Sequence, residues 1–451
     1  MKIQKQVPLT EGPILKSLTG LAVPIMISSF LGTLYNITDM AWIGLLGSKA
    51  VAAVGVGGMY VWLSQGLASL ARMGGQVHVA QCLGRGDKEQ AHRYAKTAVQ
   101  LSILLGLAFA AVSLLFTDPL VGFFKLEGVK TILDAKIYMR ITCGLILFSF
   151  LNLTLTGLYT AQGDSKTPFV ANFIGLLINL LLDPLLILGV GPFPRIEVAG
   201  AAVATVSAQF VVMFVMMVGV FRSKKEENVL KGIRLFKPFS KEELGNICKI
   251  GGPTAIQGMV YCMISMVLTR MVAAFGAEAI ATQRVGGQIE SVSWNTADGF
   301  AAALNAFVGQ NYGAKKMDRV QKGYRISFWT VAIWGALIML AFIIFPGPIA
   351  GVFFHEEKAM EIAISYLIII GFSEAFMCVE LMTIGALSGL GKTKLCSVIS
   401  ITATSMRIPL AMVLSRTSLG LDGIWWALTL TSVAKGIIFY LTFRYQMREK
   451  C

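Results

Sequence analysis

The sequence predicts an all-α integral membrane protein with twelve transmembrane helices in two six-helix lobes. Composition is the first observation behind this prediction: of 451 residues, 55% are hydrophobic and only 14% are charged. A soluble chain carries about a quarter charged residues. The other two observations are a series of long apolar windows and an internal duplication. The windows are continuous rather than alternating, and this pattern favours helices over the strands of a transmembrane barrel.

Twelve apolar windows are long enough to cross a bilayer, since a spanning helix needs about 20 apolar residues. The first is too long for the apolar core of a signal peptide, so no cleavable signal is expected. The windows lie near residues 17–43, 51–73, 93–117, 132–160, 168–190, 198–221, 246–273, 279–304, 324–346, 359–388, 395–415 and 422–444.

Lysine and arginine are distributed unequally between the segments that connect the windows. With the N-terminus placed in the cytoplasm, cytoplasmic segments hold twenty-five of these residues and outer segments six. The positive-inside rule therefore predicts a multi-pass protein of the cell membrane with cytoplasmic N- and C-termini. The net charge of +14 then reflects topology and contact with the lipid bilayer, and no nucleic-acid partner is expected.

The two halves of the chain resemble each other. Shifted by 229 positions, Pro24 falls on Pro253, Gly47 on Gly276 and "VGG" at 56–58 on "VGG" at 285–287. Further along, the shift becomes 228. Each half has an even number of spans, so the halves should be related by a pseudo-twofold along the membrane normal. The predicted organisation is an N-lobe at 1–221, a cytoplasmic linker at 222–246 and a C-lobe at 247–451.

An aspartate interrupts the leucine-rich stretch "LLINLLLDPLLILG" at 176–189. A charged side chain is costly in hydrocarbon, so Asp183 should face a bundle interior or a wet cavity. Asn179 lies four residues earlier on the same helical face, and Pro184 leaves the carbonyl of Leu180 without its helical donor. Asp39 in the first window should lie at a similar depth. These oxygens predict a pocket for a hard cation or a shared proton.

Several motifs together resemble the multidrug and toxic compound extrusion (MATE) transporters. They are "VGQNYGA" at 308–314 with its twin "VAQCLGRGD" at 79–87, "TDMAWIGLLGSKAVAAVG" at 38–55, and "GLYTAQGDSKTP" at 157–168. The resemblance implies two lobes in a V shape and drug efflux coupled to the inward flow of protons or sodium ions. It also implies an N-lobe cation site at Asp39, Asn179 and Asp183. Tyr35 lies four residues before Asp39, on the same helical face, and is expected to be its hydrogen-bond partner, with Asn36 as a second candidate.

The C-lobe does not repeat this pocket. Leu268, Arg407 and Ala411 stand at the positions equivalent to Asp39, Asn179 and Asp183. Glu374 and Arg407 fall near mid-membrane and predict a buried structural ion pair. The residues expected to line a substrate cavity are Asn152, Glu290, Trp294 and Asn295.

The sequence therefore predicts a cation-coupled antiporter, driven by protons or sodium, that exports small organic and amphipathic cations by alternating access. It is expected to be a monomer and to need no cofactor. The alternative is a flippase for a lipid-linked substrate of the same superfamily, for which Arg270, Arg284 and Arg407 could bind a pyrophosphate. No catalytic motif predicts an enzyme. The seven cysteines and three histidines show no metal-ligand spacing, so no metal is expected beyond sodium at Asp39, Asn179 and Asp183.

Overall fold

The computed structural model describes residues 6–126, 128–189, 194–223, 228–235, 238, 240–354 and 356–448. Parts of the predicted linker (224–227, 236, 237 and 239) and both chain ends (1–5 and 449–451) lie outside the described residues. The described chain contains helices and no strands. This agrees with the all-helical fold class that the composition predicts.

Within the described residues, the first half of the chain contains eight helices. They are α1 (Ile14–Gly44), α2 (Ser48–Arg85), α3 (Lys88–Leu115), α4 (Thr117–Gly122), α5 (Val129–Gly144), α6 (Leu147–Ala161), α7 (Lys166–Ile187) and α8 (Glu197–Arg222). The second half contains nine. They are α9 (Lys241–Ala273), α10 (Ala277–Gly313), α11 (Met317–Ile344), α12 (Pro346–Gly351), α13 (Glu357–Gly371), α14 (Glu374–Gly389), α15 (Thr393–Ser405), α16 (Arg407–Leu414) and α17 (Leu421–Arg448).

Eleven of the twelve predicted spans correspond to described helices that are long and apolar enough to cross a membrane, with each bent helix pair taken as one span. Within the described residues, nine single or nearly continuous segments are long and apolar enough to cross a membrane. Two further spans are helix pairs, α5 with α6 and α13 with α14, bent by 43° and 51°. The twelfth predicted span corresponds to α10, which is not apolar enough to meet the same criterion and carries Arg284, Glu290 and Asp298 within its 37 residues. Polar residues in a spanning helix indicate a face turned away from lipid.

The described residues divide into two compact units. One contains the residues up to Val7 together with Ile27–Gly258, and the other contains Pro8–Met26 together with the residues from Met259 onward. The first parts of α1 and α9 therefore belong to the unit formed mainly by the other half of the sequence. The lobe boundaries at 221 and 247 stay a prediction. The division that the structure itself provides is the one into these two units.

The duplication is visible in the turns that begin α2 and α10. Gly47 and Gly276, equivalent under the 229-residue shift, precede these helices with φ values of 102° and 112°. Only glycine takes this backbone conformation at little cost. The matched pair of glycines thus marks the same tight turn in both halves.

Residues 8–12 pack against the C-lobe helices α10 and α11. The side-chain amide of Asn311 donates to the Leu9 carbonyl at 3.0 Å, and Arg319 donates to the carbonyls of Leu9 and Gly12 at 3.2 and 3.0 Å. Leu9 is only 1% exposed. We call this segment the N-terminal strap; it fixes the start of α1 within the second unit.

Candidate functional site

One face of α7 is buried along its whole length. Its residues recur every four positions, which places them on one side of a helix. A side chain at Gly175 would overlap Val212, so the absence of a Cβ there lets α7 lie close against α8. The buried stripe contains Ala171, Gly175, Asn179, Asp183 and Ile187.

Asn179 and Asp183 are bonded to each other on this stripe. The Asn179 amide donates to one carboxylate oxygen of Asp183 at 3.2 Å, and the two residues are 1% and 0% exposed. Asp39 on α1 is 8% exposed and interacts electrostatically with Asp183. In the described chain, one oxygen of each aspartate is buried without a hydrogen-bond partner. A buried carboxylate that lacks a partner is costly, so this pair is suited to accept a cation or a proton.

Two tyrosines and a threonine complete this pocket. Tyr35 donates to the Thr205 hydroxyl at 2.9 Å and interacts electrostatically with Asp39 and Asp183. Tyr138 on α5 is buried and interacts with the same two aspartates. The sequence predicts Tyr35 as a hydrogen-bond partner of Asp39, but its bond goes to Thr205. Asn36 is exposed, and none of the hydrogen bonds described in the structure links it to Asp39.

The sequence does not predict Tyr138 and Thr205 as members of this pocket, because they lie on other helices and no spacing rule connects them to Asp39 or Asp183. One feature of the sequence does point to Tyr138: the "VGG" motif repeats in both halves, and one of its glycines lies where a tyrosine ring packs. A Cβ at Gly57 would overlap the ring of Tyr138, and a Cβ at the equivalent Gly286 would overlap the ring of Tyr366. Each half thus packs one tyrosine directly on its second long helix.

In the C-lobe, the corresponding tyrosine contacts an acid. Tyr366 donates its hydroxyl proton to Glu290. Glu374, at the start of α14, is 0% exposed, and neither of its carboxylate oxygens has a hydrogen-bond partner in the described chain. Glu290 and Glu374 interact electrostatically. The C-lobe therefore holds buried acids as well, although not at the positions equivalent to the N-lobe pocket.

The expected ion pair between Glu374 and Arg407 is not formed in the described structure. Arg407 instead donates to the hydroxyls of Thr431 and Ser432 on α17, at 3.0 and 2.9 Å. The acid that interacts electrostatically with Arg407 is Glu290 rather than Glu374. The predicted pairing must therefore be corrected.

A buried ion pair does occur in the C-lobe, between two residues that the sequence does not predict to pair. The Lys435 ammonium of α17 lies 2.8 Å from a carboxylate oxygen of Glu380 on α14, and both side chains are 6% exposed. Glu380 stands at the position equivalent to Asn152 under the 228-residue shift. Asn152 likewise bonds to the last helix of its own half, donating to Gln209 of α8 at 2.7 Å.

The four residues predicted to line a substrate cavity are divided between the two units. Asn152 is buried in the first unit, with its carbonyl oxygen lacking a partner in the described chain. In the second unit, Trp294 is 44% exposed and Asn295 is buried. Glu290 is bound to Tyr366, as described above. Their common role in a cavity stays a prediction.

Among the described residues, no group of three or more His, Cys, Asp or Glu side chains could hold a metal ion. The fold and the N-lobe pocket define a membrane protein of the transporter class, with duplicated helical halves and intramembrane acids. The MatE family model matches residues 24–185 and 253–413. The chain belongs to this family, the multidrug and toxic compound extrusion transporters, and the resemblance in its motifs is confirmed.

Curated relatives cover almost the whole chain. It is 29% identical to the probable multidrug resistance protein NorM of Thermotoga maritima, over 98% of this chain and 95% of that protein. It is 24% identical to the FAD transporter of Shewanella oneidensis, over 96% of this chain and 95% of that protein. A solved structure of a MOP superfamily transporter from Pyrococcus furiosus matches with a TM-score of 0.90 and 24% identity, covering 99% of each chain. This likeness supports the twelve-helix, two-lobe fold.

Proposed function

We propose that the protein is a cation-coupled antiporter that exports small organic cations by alternating access, with the coupling site at Asp39, Asn179 and Asp183. The supporting observation is the pair of buried aspartates, each with one oxygen that has no hydrogen-bond partner in the described chain. An ionisable residue within a membrane is by default a functional residue.

The chemistry of the pocket favours a small cation. Two carboxylates in a low-dielectric environment repel each other and lose their hydration, so the free energy of the ionised pair is high. A proton on one oxygen or a sodium ion between the oxygens removes part of this penalty. Asn179 donates to Asp183 and so orients one oxygen, which leaves the other available to the ion. The hydroxyls of Tyr35 and Thr205 provide further oxygen atoms nearby.

Ion flow and substrate export are coupled if the pocket binds the ion with different affinity in the two conformations of the transporter. A ligand shifts a conformational equilibrium only by as much as its affinity differs between the two states. We propose that the ion binds most tightly when the pocket is open to the outside, and that its release inside resets the transporter for cationic substrate. The inward ion gradient thereby drives export.

The flippase alternative is less well supported by the geometry. It needs several arginines directed to one pyrophosphate, and the three C-lobe arginines differ in their surroundings. Arg407 is held by two hydroxyls of α17, whereas Arg270 and Arg284 are exposed. The name of the FAD transporter relative makes an anionic dinucleotide a useful competing substrate in a transport assay.

Export of a fluorescent organic cation from cells that lack their own exporters tests this proposal. We expect the unaltered protein to lower cell fluorescence, and we expect Asp39→Asn and Asp183→Asn each to abolish uphill export while remaining in the membrane. The amide keeps the shape of the carboxylate but cannot carry the charge or the proton. Asp118→Asn is the matched control, since Asp118 is exposed and paired with Lys136 at 2.8 Å. Export at the normal rate by Asp39→Asn and Asp183→Asn would contradict the proposal.

We also propose that both termini and the 222–246 linker are cytoplasmic. The support is the excess of lysine and arginine in those segments. Ser240 is exposed in the linker, so a cysteine placed there in a variant without native cysteines should react only after the membrane is opened. Reaction with a membrane-impermeant reagent added to intact cells would contradict this orientation.

A further inference from the structure

A groove lies between α11 and α17 at one end of the second unit. The two helices run antiparallel there, because Tyr324 stacks on Phe443 and Phe328 packs against Tyr440 one turn further along, with ring centroids 3.6 and 5.1 Å apart. Tyr324 also shares a hydrogen bond with Thr383 at 2.9 Å, which fixes the floor of the groove. The cavity has a volume of about 440 Å³.

One end of this groove is strongly basic. Arg325, Arg444 and Arg448 line it, and all three are exposed. None of the ion pairs in the described chain involves these arginines, and no acidic residue is among the lining side chains. Arg444 lies over the Tyr440 ring at 5.8 Å from its centroid. Three cations that form no ion pair with any described residue, placed on a fixed aromatic floor, are complementary to an anion.

The other end of the groove is apolar. Trp329 is 61% exposed and lies beside Phe328, with ring centroids 5.4 Å apart. The arginines lie near the start of α11 and the end of α17, whereas these aromatic rings lie further along both spans. Tryptophan and tyrosine are enriched where a span meets the membrane interface. The groove therefore extends from the depth of lipid headgroups towards the depth of acyl chains.

The equivalent surface of the N-lobe is covered by the chain itself. Lys96, equivalent to Arg325 under the 229-residue shift, donates to the carbonyl of Pro238 in the linker at 3.0 Å. Gln100, equivalent to Trp329, donates to the Leu235 carbonyl at 2.6 Å. In the first unit, then, the linker occupies the place that remains an open groove in the second unit.

We propose that the groove between α11 and α17 binds one anionic phospholipid. The headgroup phosphate contacts Arg325, Arg444 and Arg448, and an acyl chain packs along Phe328 and Trp329. Basic pockets between transmembrane helices recognise anionic lipid headgroups in this way. This inference does not depend on the coupling site or on the exported substrate.

Native mass spectrometry of the purified full chain, titrated with dioleoyl phosphatidylglycerol or dioleoyl phosphatidylcholine, tests the lipid site. We expect the unaltered protein to retain phosphatidylglycerol in preference to phosphatidylcholine. Each arginine near a membrane surface contributes about fivefold to the binding of anionic lipid. The triple variant Arg325→Gln, Arg444→Gln and Arg448→Gln should therefore bind phosphatidylglycerol about a hundredfold more weakly.

A charge-matched triple variant separates this site from a general loss of positive charge. Lys166→Gln, Lys241→Gln and Lys392→Gln remove three exposed cations from other connecting segments, and this variant should keep its affinity for phosphatidylglycerol. Equal binding by the two triple variants would overturn the proposal.

Two further measurements identify the source of the phosphate and allow for misfolding. Inorganic phosphate should not displace phosphatidylglycerol; if it does so at low millimolar concentration, the groove is a site for free anions and the lipid assignment is wrong. Trp329→Ala leaves all three arginines in place and should weaken binding of the dioleoyl lipid several-fold. Unchanged lipid affinity in this variant would also contradict the proposed site, even if the triple variant failed to fold.

Discussion

The buried ion pair between Glu380 and Lys435 gives a direct prediction about stability. The two groups lie 2.8 Å apart with side chains 6% exposed, and the second carboxylate oxygen of Glu380 has no hydrogen-bond partner in the described chain. The pair thus makes a single contact while both ions have lost most of their hydration. Such a pair contributes little net stability as a unit, but neither ion can be left alone without a large penalty.

Replacing one partner should therefore be much worse than replacing both. Lys435→Met leaves an uncompensated carboxylate between α14 and α17, which costs roughly 3–5 kcal/mol. That corresponds to a change of roughly 150- to 5,000-fold in the unfolding equilibrium. The double variant Glu380→Met with Lys435→Met removes both charges and should recover most of this loss.

The exposed pair of Lys130 and Glu197 is the matched control. It joins the same two residue types at 2.9 Å, but the side chains are 74% and 34% exposed. Lys130→Met should cost no more than about 1 kcal/mol. Denaturant unfolding in mixed micelles, followed by tryptophan fluorescence, measures the unaltered protein and all three variants. If Lys435→Met is no more destabilising than Lys130→Met, or the double variant is as unstable as Lys435→Met, the reasoning about buried charge is wrong.

Two further predictions follow from close packing and from the N-terminal strap. Gly57→Ala places a methyl group against the Tyr138 ring and should destabilise the protein by about 1–3 kcal/mol, whereas Gly58→Ala has open space and should be neutral; equal melting temperatures for the two would contradict the predicted overlap. Asn311→Leu removes one of the two donors to the Leu9 carbonyl and should speed backbone hydrogen exchange in the strap, measured by mass spectrometry, while exchange in α7 stays unchanged. Unaltered exchange in the strap would show that Asn311 does not hold it.

The fold was largely predictable because its determinants are local or periodic. A spanning helix needs only a run of apolar residues, and the duplication is recognised from glycines and prolines that match at a shift of 229 positions, which becomes 228 further along. The exceptions are helices that bend or that carry charged residues. The bends between α5 and α6 and between α13 and α14 depend on packing, and α10 carries charges that lower its hydropathy. The exchange of the first parts of α1 and α9 between the units depends on tertiary contacts and has no sign in the sequence.

The candidate site was predictable in part for the same reason. Asn179 and Asp183 lie four residues apart on one helix, so their contact follows from helical periodicity alone. Thr205 and Tyr138 lie on other helices, and no spacing rule connects them to Asp183. The prediction for Arg407 was wrong because depth in the membrane does not identify a partner. Arg407 donates hydrogen bonds to two hydroxyls on α17. Nothing in the sequence distinguishes these hydroxyls from other polar groups at a similar depth.

Transport by purified protein in sealed vesicles, under a pH gradient or a sodium gradient imposed separately, tests the central claim most directly. We expect one of the two gradients to drive uphill movement of an organic cation by the unaltered protein. Asp183→Asn should bind the same cation but show no gradient-driven accumulation, because its pocket can no longer exchange a charge or a proton. Uphill transport by Asp183→Asn at the normal rate under the same gradient would contradict the assignment of ion coupling to the pocket formed by Asp39, Asn179 and Asp183.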